Sequence, residues 1–141
     1  MGGVVFQREQ LVRFGHCDPA GIVFYPRYFE MLNELVEDWF AQGLGLPFDQ
    51  LIGQRRLGMP TAQLGARFLR ISRHGDRLQQ RLRLLRVGGS SLSLAVTFDG
   101  DDGTRVEFDP VLVCTSLDTH RPQALPDDLR AALQNAQEMN P

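Results

Sequence analysis

Between Pro26 and Gly43, apolar side chains recur with the period of an α-helix, and no other feature restricts the fold as much. Tyr28, Met31, Leu32, Leu35, Val36, Trp39 and Phe40 follow the spacing i, i+3, i+4, i+7, i+8, i+11, i+12, which gathers them on one helix face. Glu30, Glu34, Glu37 and Asp38 fall on the other side. Pro26 suits the first helical position, where its missing N–H costs nothing and its φ is preset. Gly43 and Gly45 suit the end, and Pro47 stops continuation. The pattern predicts one long helix near 26–43 whose apolar stripe needs a covering surface.

That surface is legible downstream, where the period changes to two. Leu78, Gln80, Leu82 and Leu84 alternate with Gln79, Arg81, Arg83 and Leu85, and Leu92, Leu94, Val96 and Phe98 alternate with Ser91, Ser93, Ala95 and Thr97. Both runs read as half-buried strands. Further strands are expected in 4–14, within 59–71 and in 106–117. The breaks at HGD (74–76), GGSS (88–91) and DGDDG (99–103) read as hairpin turns, and Asp127 to Gln137 as a terminal helix opened by Pro126. Short turns imply antiparallel neighbours, so the fold class is α+β. An antiparallel sheet of about five strands should curl around one long helix.

At 141 residues the chain has the length of one domain, 1–141, with a core large enough to need no metal or disulfide staple. All 15 basic residues are Arg, against 17 Asp and Glu, for a net charge of −2. The lack of a basic excess argues against nucleic acid as a partner. The absence of Lys excludes Schiff-base and P-loop lysine chemistry. Cys17 and Cys114 have no metal-ligand spacing, so no metal site is expected. No apolar run reaches the roughly 20 residues of a membrane span, and the first residues lack the pattern of a signal peptide. The expected setting is cytoplasmic.

Reactive groups are densest in HCDPAG, His16 to Gly21, just before the long helix. Unpaired N–H groups and a partial positive charge at that helix start can polarise a carbonyl. Asp18 is the nearby carboxylate, able to attack an acyl carbon or to act as base toward water. Its bland reading is a turn residue, because Asp-Pro commonly opens turns. Cys17 reads as a small buried residue, His16 as a surface or structural histidine rather than a second base, and His74 and His120 as exposed turn residues. The Arg81 and Arg83 row reads as a solvated strand face.

The segment RFGHCDPAGIVFYPRYFEMLNE, Arg13 to Glu34, resembles the signature of the 4-hydroxybenzoyl-CoA thioesterase family and is similar to acyl-CoA thioesterases of the Tol-Pal cluster type. Weaker collinear likeness continues through GMP at 58–60, the strand ending in Arg86 and GGSSLSL at 88–94, covering roughly residues 5 to 118. The resemblance implies a hot-dog fold, a homodimer often doubled to a homotetramer, active sites at the subunit interface, an acyl-CoA substrate and no cofactor. The family's catalytic carboxylate maps onto Asp18, and its oxyanion donor onto the Tyr25 backbone N–H. Phe24, Tyr28 and Asn33 are the implied acyl-side contacts, and Arg86, Gly89, Ser90 and Ser91 the implied CoA contacts. Two departures stand out: Gly88, Gly89 and Ser90 replace a basic cluster of some relatives, and Asn33 replaces a carboxylate of the hydroxybenzoyl-specific type. A hydratase or dehydratase on acyl thioesters, and a non-catalytic acyl-thioester binder, are the rival readings.

Overall fold

The computed structural model describes residues 2–141. Strand β1 (Val4–Leu11) leads through a 3-10 turn (Phe14–His16) and a loop to helix α1 (Pro26–Asp38), which continues as a wider π-helical turn at Trp39–Gly43. A second π-helical turn (Asp49–Gln54) precedes the short strands β2 (Leu57–Gly58), β3 (Thr61–Gln63) and β4 (Ala66–Phe68). The long strands β5 (Arg77–Val87) and β6 (Ser91–Gly100) follow, then β7 (Gly103–Phe108), β8 (Val111–Val113), β9 (Thr115–Ser116) and helix α2 (Asp127–Met139).

Seven strands form one sheet in the order β1-β5-β6-β7-β4, with β8 pairing both β6 and β3, and β2 and β9 form a separate pair. All the pairings are antiparallel. The count of seven corrects the expected five or so. Two ribbons are each cut in two at the same level. Pro110, which has no N–H to give a ladder, separates β7 from β8. Opposite it, Gly65 lies between β3 and β4. Gly65 N–H donates to the Asp109 carboxylate at 2.6 Å, and Asp109 N–H donates back to Gly65 O at 3.2 Å. A Cβ on Gly65 would stand 2.3 Å from that carboxylate oxygen, so only glycine lets the two kinks interlock.

The GGSS and DGDDG breaks are hairpin turns, joining β5 to β6 and β6 to β7. HGD is not: β4 pairs β7, whereas β5 pairs β1 and β6. His74–Asp76 therefore ends a crossing from one side of the sheet to the other. Its short length mimicked a hairpin in the sequence, but turn chemistry alone does not say which strands are neighbours.

All seven residues of the helical stripe are buried, Leu35, Trp39 and Phe40 completely. They meet the inward face of the sheet, where Leu78, Leu82, Leu84, Leu92, Leu94, Val96 and Phe98 are buried in turn. Aromatic contacts tie helix to sheet, Tyr28 to Phe98 at 6.1 Å and Phe29 to Phe108 at 5.6 Å, and Phe98 meets Phe108 of the next strand at 5.3 Å. Each such side chain contributes about 1.5–3 kcal/mol by leaving water. Helix α2 adds Leu129 and Leu133 to the core, and no helix among the described residues is long and apolar enough to cross a membrane.

Candidate active site

The loop between the 3-10 turn and α1 folds on itself as a small antiparallel ladder. Phe24 N–H donates to His16 O at 2.9 Å, Asp18 N–H to Ile22 O at 3.0 Å, and Cys17 faces Val23. A turn closes it, Gly21 N–H reaching Asp18 O at 2.9 Å, with Gly21 at φ +82, a region that favours glycine. The ladder docks on the crossing segment: Val23 N–H donates to Ser72 O at 2.9 Å, and Ile22 bridges to Arg73.

Asp18 does the work of a turn residue and has capacity left over. Its Oδ1 accepts from Ala20 N–H at 2.8 Å, a local side-chain-to-backbone bond typical of Asp. Its Oδ2 accepts no hydrogen bond among the described residues. The half-buried carboxylate lines a cleft of about 510 Å³ with Phe14, Cys17, Pro19, Gly21 and His74.

The histidines divide by what their ring nitrogens do. His16 Nδ1 accepts from Arg13 N–H at 2.9 Å, so its proton sits on Nε2. Burial, the largest influence on it, holds its pKa below the ordinary value despite Glu34 nearby. Of the surface and structural roles expected for it, this is the structural one. His74 is exposed, as expected, but it faces the Asp18 cleft, which the sequence did not reveal. Its position 56 residues after Asp18 carries no pattern, and only the docking of segment 71–76 against the loop brings the two together.

Tyr25 caps α1 from a helical conformation, and its N–H finds no acceptor among the described residues. Phe24 and Tyr25 are exposed and meet edge to face at 5.8 Å. Tyr25 and Tyr28 line a second recess of about 270 Å³ with Ile22, Val23, Phe68 and Ile71. Burial raises the pKa of the Tyr28 hydroxyl. Gly21 lines the cleft and Ile22 the recess, so the loop that carries Asp18 forms a wall of both, although Asp18 and Tyr25 do not share one cavity. Asn33 is exposed on α1.

The implied CoA contacts stand elsewhere. Arg86 lies near the end of β5 and Gly89, Ser90 and Ser91 follow it, whereas the Asp18 cleft adjoins the start of β5 at His74. At roughly 3.3 Å per residue, this 11-residue strand is about 35 Å long and runs from beside the one place to the other. The glycine turn is firmly held. Arg130 of α2 donates to Gly88 O and Gly89 O, both at 3.0 Å, while the Gly89 and Ser90 N–H groups find no acceptor among the described residues. Neighbouring free N–H groups of this kind suit an anion. No group of three or more His, Cys, Asp or Glu able to hold a metal occurs among the described residues.

Against known proteins, residues 12–133 match the model of the thioesterase-like superfamily. The chain belongs to that superfamily. The thioesterase is 30% identical over 131 residues to a 1,4-dihydroxy-2-naphthoyl-CoA hydrolase of Thermosynechococcus vestitus, covering 92% of this chain and 89% of the relative. It is 32% identical over 69 residues to a 4-hydroxybenzoyl-CoA thioesterase of a Pseudomonas species, 48% of this chain and 49% of the relative. A solved 1,4-dihydroxy-2-naphthoyl-CoA thioesterase from Synechocystis superposes with a TM-score of 0.84 at 20% identity, covering 92% of this chain and 96% of that one. The sheet wrapped on one long helix is thus the hot-dog fold, and the protein is a thioester hydrolase.

Proposed function

We propose that this thioesterase hydrolyses an aromatic acyl-CoA to the free acid and CoA, with Asp18 as the reacting carboxylate. The observation that carries the reading is the division of labour at Asp18: one carboxylate oxygen is fixed by Ala20 N–H and the other is free in a cleft. Fixing one oxygen orients the other without consuming it. Asp18 attacks the thioester carbon or takes the proton of an attacking water. The unpaired Tyr25 N–H at the start of α1 stabilises the oxyanion. CoA leaves as a thiolate, which needs little help from an acid.

The aromatic character of the acyl group is supported by the recess beside Tyr25, whose walls include Tyr28 and Phe68, and by the substrates named for both curated relatives. Asn33 offers an amide where a charged residue would select a hydroxybenzoyl group. The CoA nucleotide falls to Arg86, Ser91 and the free N–H groups of Gly89 and Ser90. Because about 35 Å of strand separates that turn from Asp18 within one chain, the site is completed between subunits. The edge formed by β3 and β4 is exposed along its length, with Leu64, Phe68, Leu69 and Ile71 uncovered beside it. Such an edge invites pairing. A two-fold axis there lays the partner's edge antiparallel and carries the partner's glycine turn toward this chain's cleft. The working unit is then a homodimer, doubled to a homotetramer, in the cytoplasm.

Asp18→Asn tests the assignment. It should abolish thiol release from acyl-CoA while leaving the melting temperature and assembly size unchanged, and wild-type turnover by that variant would sink the mechanism. The hydratase considered from the sequence gives way to the thioesterase family match, and the same assay checks it. A hydratase adds water to an enoyl-CoA and releases no thiol from a saturated one.

A further inference from the structure

We propose that His74 is the base that activates water in the second half of the reaction, after Asp18 has taken the acyl group. This rests on the assignment of Asp18 above and takes it as nucleophile. Asp18 Oδ2 bonds to the thioester carbon, the C–S bond breaks, and CoA departs as thiolate, leaving a mixed anhydride. His74 then removes a proton from water, whose oxygen bonds to the acyl carbon. The anhydride C–O bond breaks, the Asp18 carboxylate is restored, and the imidazolium passes its proton to the thiolate or to solvent.

Three observations support it. His74 and Asp18 line one cleft, whose remaining walls are Phe14, Cys17, Pro19 and Gly21, and an imidazole is a stronger base toward water than a carboxylate. Neither ring nitrogen of His74 is engaged among the described residues, in contrast to His16, whose Nδ1 is held by Arg13 N–H.

The third is rigidity. His74 occupies the first corner of a turn closed by Asp76 N–H to Arg73 O at 3.0 Å, with Gly75 at φ +92 in the second corner, the arrangement of a type II turn. Gly75 N–H donates to Val12 O at 2.8 Å, and Val12 N–H to Asp76 O at 2.8 Å. The Asp76 carboxylate accepts from Arg73 N–H and from Arg105, both at 2.9 Å. Phe14, exposed on the other side of the cleft, meets the His74 ring edge to face at 5.9 Å. A side chain serving only as a loop corner has no need of such bracing.

The test is rapid-mixing kinetics of the full chain on a panel of aromatic and aliphatic acyl-CoAs, read on the parent's best substrate. His74→Gln should release a burst of CoA approaching one equivalent per active site, then turn over about 10²–10³-fold more slowly than the parent. Hydroxylamine should trap the acyl group as hydroxamate during the slow phase, and added imidazole should speed that phase in His74→Ala. Steady-state turnover within about threefold of the parent, or a loss with no burst, overturns the role. Asp18→Asn, run alongside, separates the two readings. If it is silent and His74→Gln is fully active, only the His74 proposal fails. If Asp18→Asn turns over, or the parent releases no thiol from any panel member, the Asp18 assignment falls as well.

Discussion

Arg105 is the charged side chain that the fold can least afford to lose. It is 5% exposed, and its guanidinium gathers the crossing segment and the β6–β7 turn. Nη1 donates to Ile71 O at 3.0 Å, Ser72 Oγ at 3.1 Å and Asp76 Oδ2 at 2.9 Å, and Nε and Nη2 reach Asp102 and Asp101. Hydrogen bonds to a charged group contribute about 1.5–3 kcal/mol each, but burying the guanidinium offsets much of that gain. Asp101 is 97% exposed and adds little. In Arg105→Met the apolar stem is retained and Asp76 can rehydrate, while Ser72, 1% exposed, loses the bond from Arg105 and keeps only Tyr28. The net loss should be about 3 kcal/mol. For a chain of this size that is a fall in melting temperature of roughly 10 °C, measured by calorimetry with Asp101→Asn as an unchanged control.

The pH dependence has a definite sign. Asp76 is held below the ordinary carboxylate range, first by the Arg73 N–H bond and then by Arg105. Its contribution is therefore complete above the unfolded carboxylate pKa of about 3.9 and is lost as acid protonates it in the folded state. The gap between parent and Arg105→Met should narrow on acidification, while the Arg73 bond leaves some acid sensitivity in the variant. A melting temperature within 2 °C of the parent, on the order of half a kcal/mol, would refute the reasoning, as would an equal loss in Asp101→Asn.

Two further outcomes follow from the same geometry. Phe68→Asp places a charge on the uncovered sheet edge beside Tyr25, 6.0 Å away, and should give monomers with lost turnover in sedimentation and thiol-release assays; a full-size active assembly would remove the edge pairing. Gly75→Ala adds a Cβ that meets nothing within 4 Å, so its cost is the φ of +92 alone, about 1–2 kcal/mol by urea denaturation, with turnover falling further than stability because His74 moves.

The long helix was readable because its stripe is continuous and its periodicity unambiguous: every one of the seven residues is buried. Strands β5 and β6 were readable for the same reason at period two, down to the buried Gln80, whose Oε1 accepts from Arg8 at 2.7 Å. Strand breaks were harder. Pro110 and Gly65 look like ordinary interruptions, and their interlock depends on a pairing that no local pattern encodes. The DPAG loop was visible as a unit, and its position before an apolar helix marked Asp18. His74 and Arg105 were not visible. One looks like a turn histidine and the other like an exposed strand arginine; the cleft beside His74 comes from the loop at 14–21, and Arg105 finds Ile71, Ser72 and Asp76 about 30 residues earlier in the chain.

Strand β5 has the Asp18 cleft at its start and the glycine turn at its end. Within one chain, a substitution at the Asp18 cleft reaches the glycine turn only through a full strand of paired backbone. Under the pairing proposed above, the turn that meets a cleft is the partner's, and its free backbone N–H groups need no particular side chain in the cleft wall, so that wall can change with less effect on an anion held at the turn.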